Sequence, residues 1–417
     1  MKRFAIVLLV WVTLPCVTRA QFEAGAAKAD ITPPTGYAMW GYAARKDKPS
    51  TGVRDPLFAR VLVLKAGEDK IALVGLDLGR APIRESMARI REKLKPDGFT
   101  ELFLVGSHTH HGPVIEVETW PKDKPYVKDL EEKLVAAIRK AGAARKPAKY
   151  GVDSTEVSLN RNRQSKRKDA PVDRELTVLR VEGMDGKPIA HAVNFAAHPT
   201  MLPTHLMEFS ADFPGATAKR VEDETGVPCL FLQGAAGDMS PNPPEGVKGP
   251  DEFGKKLGDN VLSLAKTIKM TGKGEALESR REECHFKVMI DVNNLVVRVA
   301  LEQAFFPDLI AFFQKEYAAG VKPVVTAALL DNSIGFVGVS GELFSEHSLW
   351  LKRRARLPHL FVLGYCNDYQ QYFPTIQAVS EGGYGTALPV SVAELGAGEK
   401  MMDRALIHLY KMRGLVP

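Results

Sequence analysis

Cysteine is nearly absent from this sequence. The 417 residues include four, and none stands in a CxxC pair, which excludes a thiolate zinc finger and a disulfide-rich scaffold. Three lie beyond residue 20: Cys229, Cys284 and Cys366. Two of them could form one disulfide, but Cys229 and Cys366 sit in apolar runs (VPCLFL, LGYCND), where a buried free thiol is the preferred reading. A strong charge of one sign is also missing, since the formal net charge is +6. The one basic run, RNRQSKRK at 161–168, lacks interleaved aromatics. It reads as a solvated loop, so no nucleic-acid partner is expected. Internal repeats and low-complexity linkers are absent, and no apolar run reaches the roughly 20 residues that span a bilayer.

The first twenty residues stand apart. Lys2 and Arg3 precede FAIVLLVWV, and VTRA precedes Gln21. A basic start, a short apolar stretch and small residues before a cut describe a secretory signal peptide over residues 1–20. Cys16 follows Thr-Leu-Pro, which is not a lipid-attachment context. The protein is therefore expected to be exported, to the periplasm or the medium. Removing the leader takes away Lys2, Arg3 and Arg19 but no acid, leaving a nearly balanced chain.

Residues 21–417 read as one large α/β domain with a mixed β-sheet layered with helices. Short β-branched apolar runs at 60–66, 71–78, 102–108, 189–198, 228–234, 334–342 and 359–366 read as buried strands. Segments 83–95, 126–142, 252–268 and 398–412 carry apolar residues at helical spacing. The stretch 270–300 fits this alternation less well and suggests an antiparallel addition. Polar clusters follow several strands: SHTHHGP after LFLVG, AAHPT after HAVNF, GAAGDMSPN after CLFLQ, and GELF after FVGVS. Ligands gather beyond the carboxyl ends of strands in open α/β sheets. These four clusters would converge if their strands were parallel neighbours.

Histidine is also scarce, at ten residues, yet His108, His110 and His111 fall within four positions. If strand geometry continued, His108 and His110 would share a face and His111 would point the other way. His198 and Glu342 are natural remote partners, each at its own strand end. Imidazole and carboxylate suit a catalytic zinc with an open coordination position. In GAAGDMSPN, Ser240 could be a nucleophile, although the loop lacks the Gly-x-Ser-x-Gly elbow. Equally, the loop could be a tight turn in which Asp238 caps local amides.

Read in order, these motifs resemble the neutral/alkaline non-lysosomal ceramidase family. The resemblance rests on AGAAKADITPPTGYAMWGYA (24–43), SHTHHGP, SLNRNR (158–163), NFAAHPTML (194–202), FSADFPGATAKRVE (209–222), LQGAAGDMSPN (232–242), GELF and NDYQQYFPT…EGGYG. It implies an amidohydrolase with one zinc ion held by His108, His198, Glu342 and Tyr384. It implies His110 as acid/base and oxyanion partner. Arg161 and Tyr372 would orient substrate and stabilise the oxyanion. Ser240 falls on the family's loop serine, which has been considered a nucleophile, but with zinc present water is the preferred one. The implied reaction splits the amide of ceramide (N-acylsphingosine) into sphingosine and a fatty acid. Another amide or ester is the alternative substrate, and a non-catalytic lipid- or glycan-binding relative is a third reading. The implied partner is a small amide lipid, with room for transient contact with a membrane surface. The chain departs from the pattern in three places. His111 replaces the usual Ser, Val114-Ile115 replaces a Gly-Gly, and Gly-Thr follows Tyr384. No immunoglobulin-like domain is expected after the catalytic domain.

Overall fold

The computed structural model describes residues 22–117, 125–291 and 294–417. The expected leader at 1–20, with Cys16, lies outside the described residues. Two large sheets carry the fold. The first contains β1 (Glu23–Asp30), β2 (Phe58–Ala66), β3 (Asp69–Leu76), β4 (Glu101–Gly106), β5 (Lys146–Glu156), β6 (Glu175–Gly183), β7 (Pro188–Phe195) and β8 (Cys229–Gln233). Its order is β8-β7-β6-β5-β1-β2-β3-β4. The outer pairs β3/β4 and β7/β8 are parallel and the inner ones antiparallel. The second contains β9 (Leu277–Glu283), β10 (Val324–Leu330), β11 (Ile334–Val339) and β12 (His359–Leu363), in that order. The strand β9 supplies the expected antiparallel addition, pairing with β10.

Side-chain alternation explains why the sheets stack. Along β3, Ile71 and Leu73 face the second sheet, together with Leu330, Phe336 and Phe361. Their neighbours Ala72, Val74 and Leu76 face the opposite way, towards α1 (Arg84–Leu94) and α2 (Tyr126–Ala143). Further along the same outer surface, α3 (Asp212–Thr225) and α4 (Gly249–Thr267) cover β6–β8. After α5 (Leu295–Ala304), the far face of the second sheet packs on α6 (Pro307–Tyr317), α7 (Ser345–Ala355) and α9 (Ala397–Met412), with α8 (Ile376–Glu381) between the last two in sequence. The layers therefore run helix, sheet, sheet, helix. Strands buried on both faces, in both sheets, explain why the sequence shows continuous apolar runs rather than alternation. Cys229, Cys284 and Cys366 are all buried free thiols.

The four polar clusters do meet, though not as neighbours in one sheet. The strands β4 and β8 are the opposite ends of the first sheet, and that sheet curls until its ends approach. At Gly75 of β3 an added Cβ would lie 3.0 Å from the Phe231 carbonyl of β8, so any side chain there would press the two strands apart. The segment after β12 fills the gap: Gly106 N–H donates to Tyr365 O, and Gly364 N–H donates to Gln233 O.

Asn367 stitches the two sheets. Its amide donates to Leu102 O at 2.7 Å and to Thr326 Oγ1 at 3.1 Å, and its Oδ1 accepts from Leu104 N–H at 3.0 Å. Removing it strands a buried N–H and a carbonyl. Asn367→Ala is expected to cost about 2–4 kcal/mol, read as a lower denaturant midpoint at unchanged slope. A midpoint equal to that of the parent would show that the stitch does not matter.

Candidate active site

His108 follows β4 in a left-handed conformation (φ +70°), a backbone state uncommon outside glycine and enriched at functional positions. Its N–H donates to Leu78 O, and its ring Nδ1 lies 2.8 Å from Gly79 O. His198 follows β7, and its Nδ1 lies 2.6 Å from Ala236 O. A carbonyl can only accept, so each Nδ1 carries a proton and each ring turns its Nε2 inward, where a neutral imidazole presents a lone pair.

Those two Nε2 atoms are 3.0 Å apart. Glu342 Oε2 lies 3.4 Å from that of His108 and 3.2 Å from that of His198. Three atoms able to offer lone pairs thus face one point, an arrangement suited to a cation. Donors held about 2.0–2.1 Å from one tetrahedral ion stand about 3.3 Å apart, matching these separations. The residues present fit a mononuclear metal. Tyr369 OH donates to Glu342 Oε1 at 2.5 Å and Tyr365 OH donates to Oε2 at 3.3 Å, fixing the carboxylate as outer-shell partners do.

The electrostatics agree. Burial, then Arg163 and His108, lower the His198 pKa to about 3, so its ring stays neutral. Burial pushes the Glu342 carboxyl up, but positive charge and donated hydrogen bonds at His108 and His198 hold it well below the ordinary value, the same effect a bound cation at that point would have.

His110 is the third member of the cluster. A ring nitrogen of each of His108, His110 and His198 lies within 4.8 Å of the others. Both ring nitrogens of His110 are buried with no hydrogen-bond partner among the described residues. Burial, followed by the neighbouring histidines, keeps its pKa well below 6.5. Gly41 (φ +101°) passes so close that a Cβ would lie 2.4 Å from the His110 ring.

The arginine facing the cluster is Arg163. Its Nη2 lies 3.0 Å from His198 Nε2 and donates to Tyr372 OH at 3.1 Å. Arg161, expected from the sequence, is exposed on the short strand Asn160–Asn162, across from Ser240. The difference has a local cause. Asn162 Oδ1 accepts from the Gln164 and Ser165 N–H groups at 2.9 and 2.8 Å, which bends the chain so that Arg163 leaves the strand and turns inward. Burial opposes the Arg163 charge, but Tyr372 and Glu342 outweigh it and raise its pKa.

Tyr372 is buried and stacks on His198 at 5° interplanar angle, with its hydroxyl 3.5 Å from Nε2. Tyr384 is 65% exposed and meets the Tyr372 ring edge-on at 5.6 Å. It lines the cavity above the cluster, next to Tyr372. Ser240 is half-buried on the strand Met239–Pro241 and does not line the cavity above the cluster. Its neighbour Asp238 is the structural residue. It accepts from Ser345 N–H at 2.7 Å, Ser345 Oγ at 2.9 Å and Asn162 Nδ2 at 2.8 Å, tying the loop to the start of α7.

His111 points away from the cluster. Its Nε2 lies 2.6 Å from Nη2 of the buried Arg45, which also donates to the His110 carbonyl and to Thr204 O and Leu206 O. A buried guanidinium thus pins the histidine loop from behind. Above the cluster opens a cavity of about 250 Å³, walled by Trp40, Val114, Phe305, Phe306, Leu309 and Phe313.

A four-layer α/β domain with a buried His/His/Glu donor set beneath an apolar cavity is the class that fold and site define. Comparison with known proteins makes it specific: residues 22–256 match the model of the neutral/alkaline non-lysosomal ceramidase family, N-terminal domain. The chain belongs to that family. It is similar to neutral ceramidase B of Dictyostelium discoideum, 29% identical over 177 residues. That alignment covers 35% of this chain and 25% of the relative's length. Among solved structures, the neutral ceramidase of Pseudomonas aeruginosa superposes with a TM-score of 0.78 at 18% identity, over 95% of this chain and 75% of that one. A structure described as ceramidase complexed with C2 gives 0.77 at 17% identity, over 95% and 76%. At that identity the likeness concerns the fold.

If Asp238 rather than Ser240 holds this loop, Asp238→Ala should cost about 2–4 kcal/mol and Ser240→Ala less than about 0.5 kcal/mol in denaturant melts. The reverse ranking would refute the assignment.

Proposed function

We propose that the protein is a zinc-dependent amidohydrolase that cleaves the N-acyl amide of ceramide into a fatty acid and sphingosine. The observation that carries this reading is the convergence of three lone-pair donors and an unpartnered histidine at the floor of an apolar cavity. The donor set, two imidazoles and a carboxylate, suits zinc. Membership of the family and the names of the relatives support a lipid amide as substrate.

His108, His198 and Glu342 would hold the metal, with Tyr384 as a fourth ligand. When bound, the metal supplies Lewis acidity, which makes water nucleophilic near neutral pH. The remaining work falls to the chain. His110 is neutral and its ring nitrogens are free of partners, so one can take the proton from water and return it to the departing amine. Arg163 and Tyr372 point N–H and O–H groups at the same spot and would stabilise the developing oxyanion. The aromatic cavity walls bind the hydrocarbon and exclude water. Ser240 is not the nucleophile in this reading. The departure at His111 leaves the reacting groups untouched, since that ring serves Arg45. Val114, by contrast, lines the cavity, so that departure bears on which amide fits. Export by the leader at 1–20 belongs to the same proposal, as does transient contact with a membrane surface.

Arg163→Met should lower kcat/KM by about 100- to 1000-fold, the usual cost of one oxyanion donor, while Arg161→Met changes it less than about threefold. His198→Ala should lose bound metal measured by elemental analysis, and chelation should abolish ceramide turnover in the parent. Failure of the reconstituted parent to bind metal would sink the proposal. Bound metal without ceramide turnover would remove ceramide alone and leave another amide or ester.

A further inference from the structure

A second apolar cavity adjoins the catalytic one. It lies between α8 (Ile376–Glu381) and the start of α9, has a volume of about 320 Å³, and is lined by Met289, Phe373, Val379, Leu388, Leu395 and Ala397, among others. Tyr372 belongs to both cavities. One segment separates them: Tyr384, Pro389 and Val390 face the catalytic side, whereas Thr386, Ala387 and Leu388 face the groove.

The groove offers little to a polar ligand. Thr386 Oγ1 donates to Gly383 O at 2.7 Å. Glu394 is engaged by Lys400 at 2.5 Å and by the Lys287 N–H at 3.1 Å. What remains is largely hydrocarbon, and much of it is open to water: Met289 is 59%, Leu388 48% and Leu395 56% exposed. Single exposed apolar residues are ordinary, but a contiguous group marks a binding surface. Most of the exposed large apolar side chains of the described residues fall in two segments, 289–299 and 376–395, which flank the two cavities.

We propose that this groove binds one hydrocarbon chain of a two-chain amide lipid while the other lies in the catalytic cavity. The geometry of the substrate requires such a division. A secondary amide sends one chain from its carbonyl carbon and the other from its nitrogen, in opposite directions. With the amide over His108 and His198, one chain runs along Phe305 and Phe306. The other crosses the ridge at Tyr384 and drops into the groove. The identity of the lipid rests on the amidohydrolase reading; the affinity of the groove for a hydrocarbon chain does not.

Two variants test it: Ala387→Phe, which fills the groove from an exposed position, and Leu395→Asp, which makes its rim polar. Leu415→Asp, at an exposed site elsewhere, is the control. The probe for binding is the fluorescent fatty acid cis-parinaric acid, titrated into full-length protein. Loss of about two methylenes' worth of contact corresponds to about tenfold weaker binding, expected in both groove variants and not in the control. In turnover, the groove variants should lose about tenfold in kcat/KM on long-chain amides and less than twofold on a short-chain analogue. Two substrate series, one shortening the acyl chain and the other the amine-side chain, identify the occupant as the chain whose length dependence disappears. Unchanged parinarate affinity, or equal losses on long and short substrates, overturns the proposal. So does a parent dimer that Leu395→Asp splits without altering chain binding, because the groove would then be an interface between copies. Parinarate binding that depends on the groove, in a parent that hydrolyses no amide, would refute the amidohydrolase reading and leave the groove standing.

Discussion

Two backbone carbonyls set the chemistry of this protein. Gly79 O and Ala236 O each accept a hydrogen bond from the Nδ1–H of a histidine, which turns both Nε2 atoms inward and, in the neutral rings, leaves them as acceptors. Without those bonds either ring could rotate or change tautomer, and the two nitrogens could share a proton. With them, two imidazoles and Glu342 present only lone pairs to one another at 3.0–3.4 Å. Such a set is costly to bury unless a cation sits among it. The tyrosines on Glu342 and the arginine behind the histidine loop hold that arrangement from outside.

The larger architecture delivers those carbonyls. Both belong to segments just beyond strands, Gly79 after β3 and Ala236 after β8, which lie towards opposite ends of an eight-stranded sheet. They come together only because the sheet curls and the segment after β12 fills the seam. The second sheet is therefore more than a support. Its continuation supplies Tyr365, Tyr369 and Tyr372 on one side of the cluster, while β11 leads into Glu342. Apolar layering on both faces of both sheets keeps water from this seam, so each polar group there must find a partner within the protein. Among the described residues, Ser107 Oγ, Arg163 Nε, His111 Nδ1 and both His110 ring nitrogens are buried there without one, and two free nitrogens on one ring beside the cluster suit a group that must exchange protons.

Much of this was legible in the sequence. The apolar runs located the strands because strands buried on both faces write themselves as continuous Val, Ile and Leu, and the polar clusters after them marked the site. His108, His198, Glu342 and Tyr372 follow from strand ends and ordered motifs. Register and long-range contacts were not legible. SLNRNR offers two arginines, and only the Asn162 side chain, by bending the chain after the strand, decides that Arg163 turns inward. The partner of His111 is Arg45, 66 residues away, a contact no local pattern announces. Asp238 and Ser240 share one loop, and the packing of α7 against it makes Asp238 the structural member. Whether the strands bearing the polar clusters are neighbours was not legible either, because strand ends look alike whether a sheet is open or curled.

The central claim is that His108, His198 and Glu342, with Tyr384, and not the three clustered histidines, would form the metal's protein shell. X-ray absorption spectroscopy of the zinc-loaded protein tests it directly. The account predicts a shell of nitrogen and oxygen donors at about 2.0–2.2 Å, with outer-shell scattering from two imidazoles, unchanged in His110→Ala. A third imidazole that disappears in His110→Ala would contradict it.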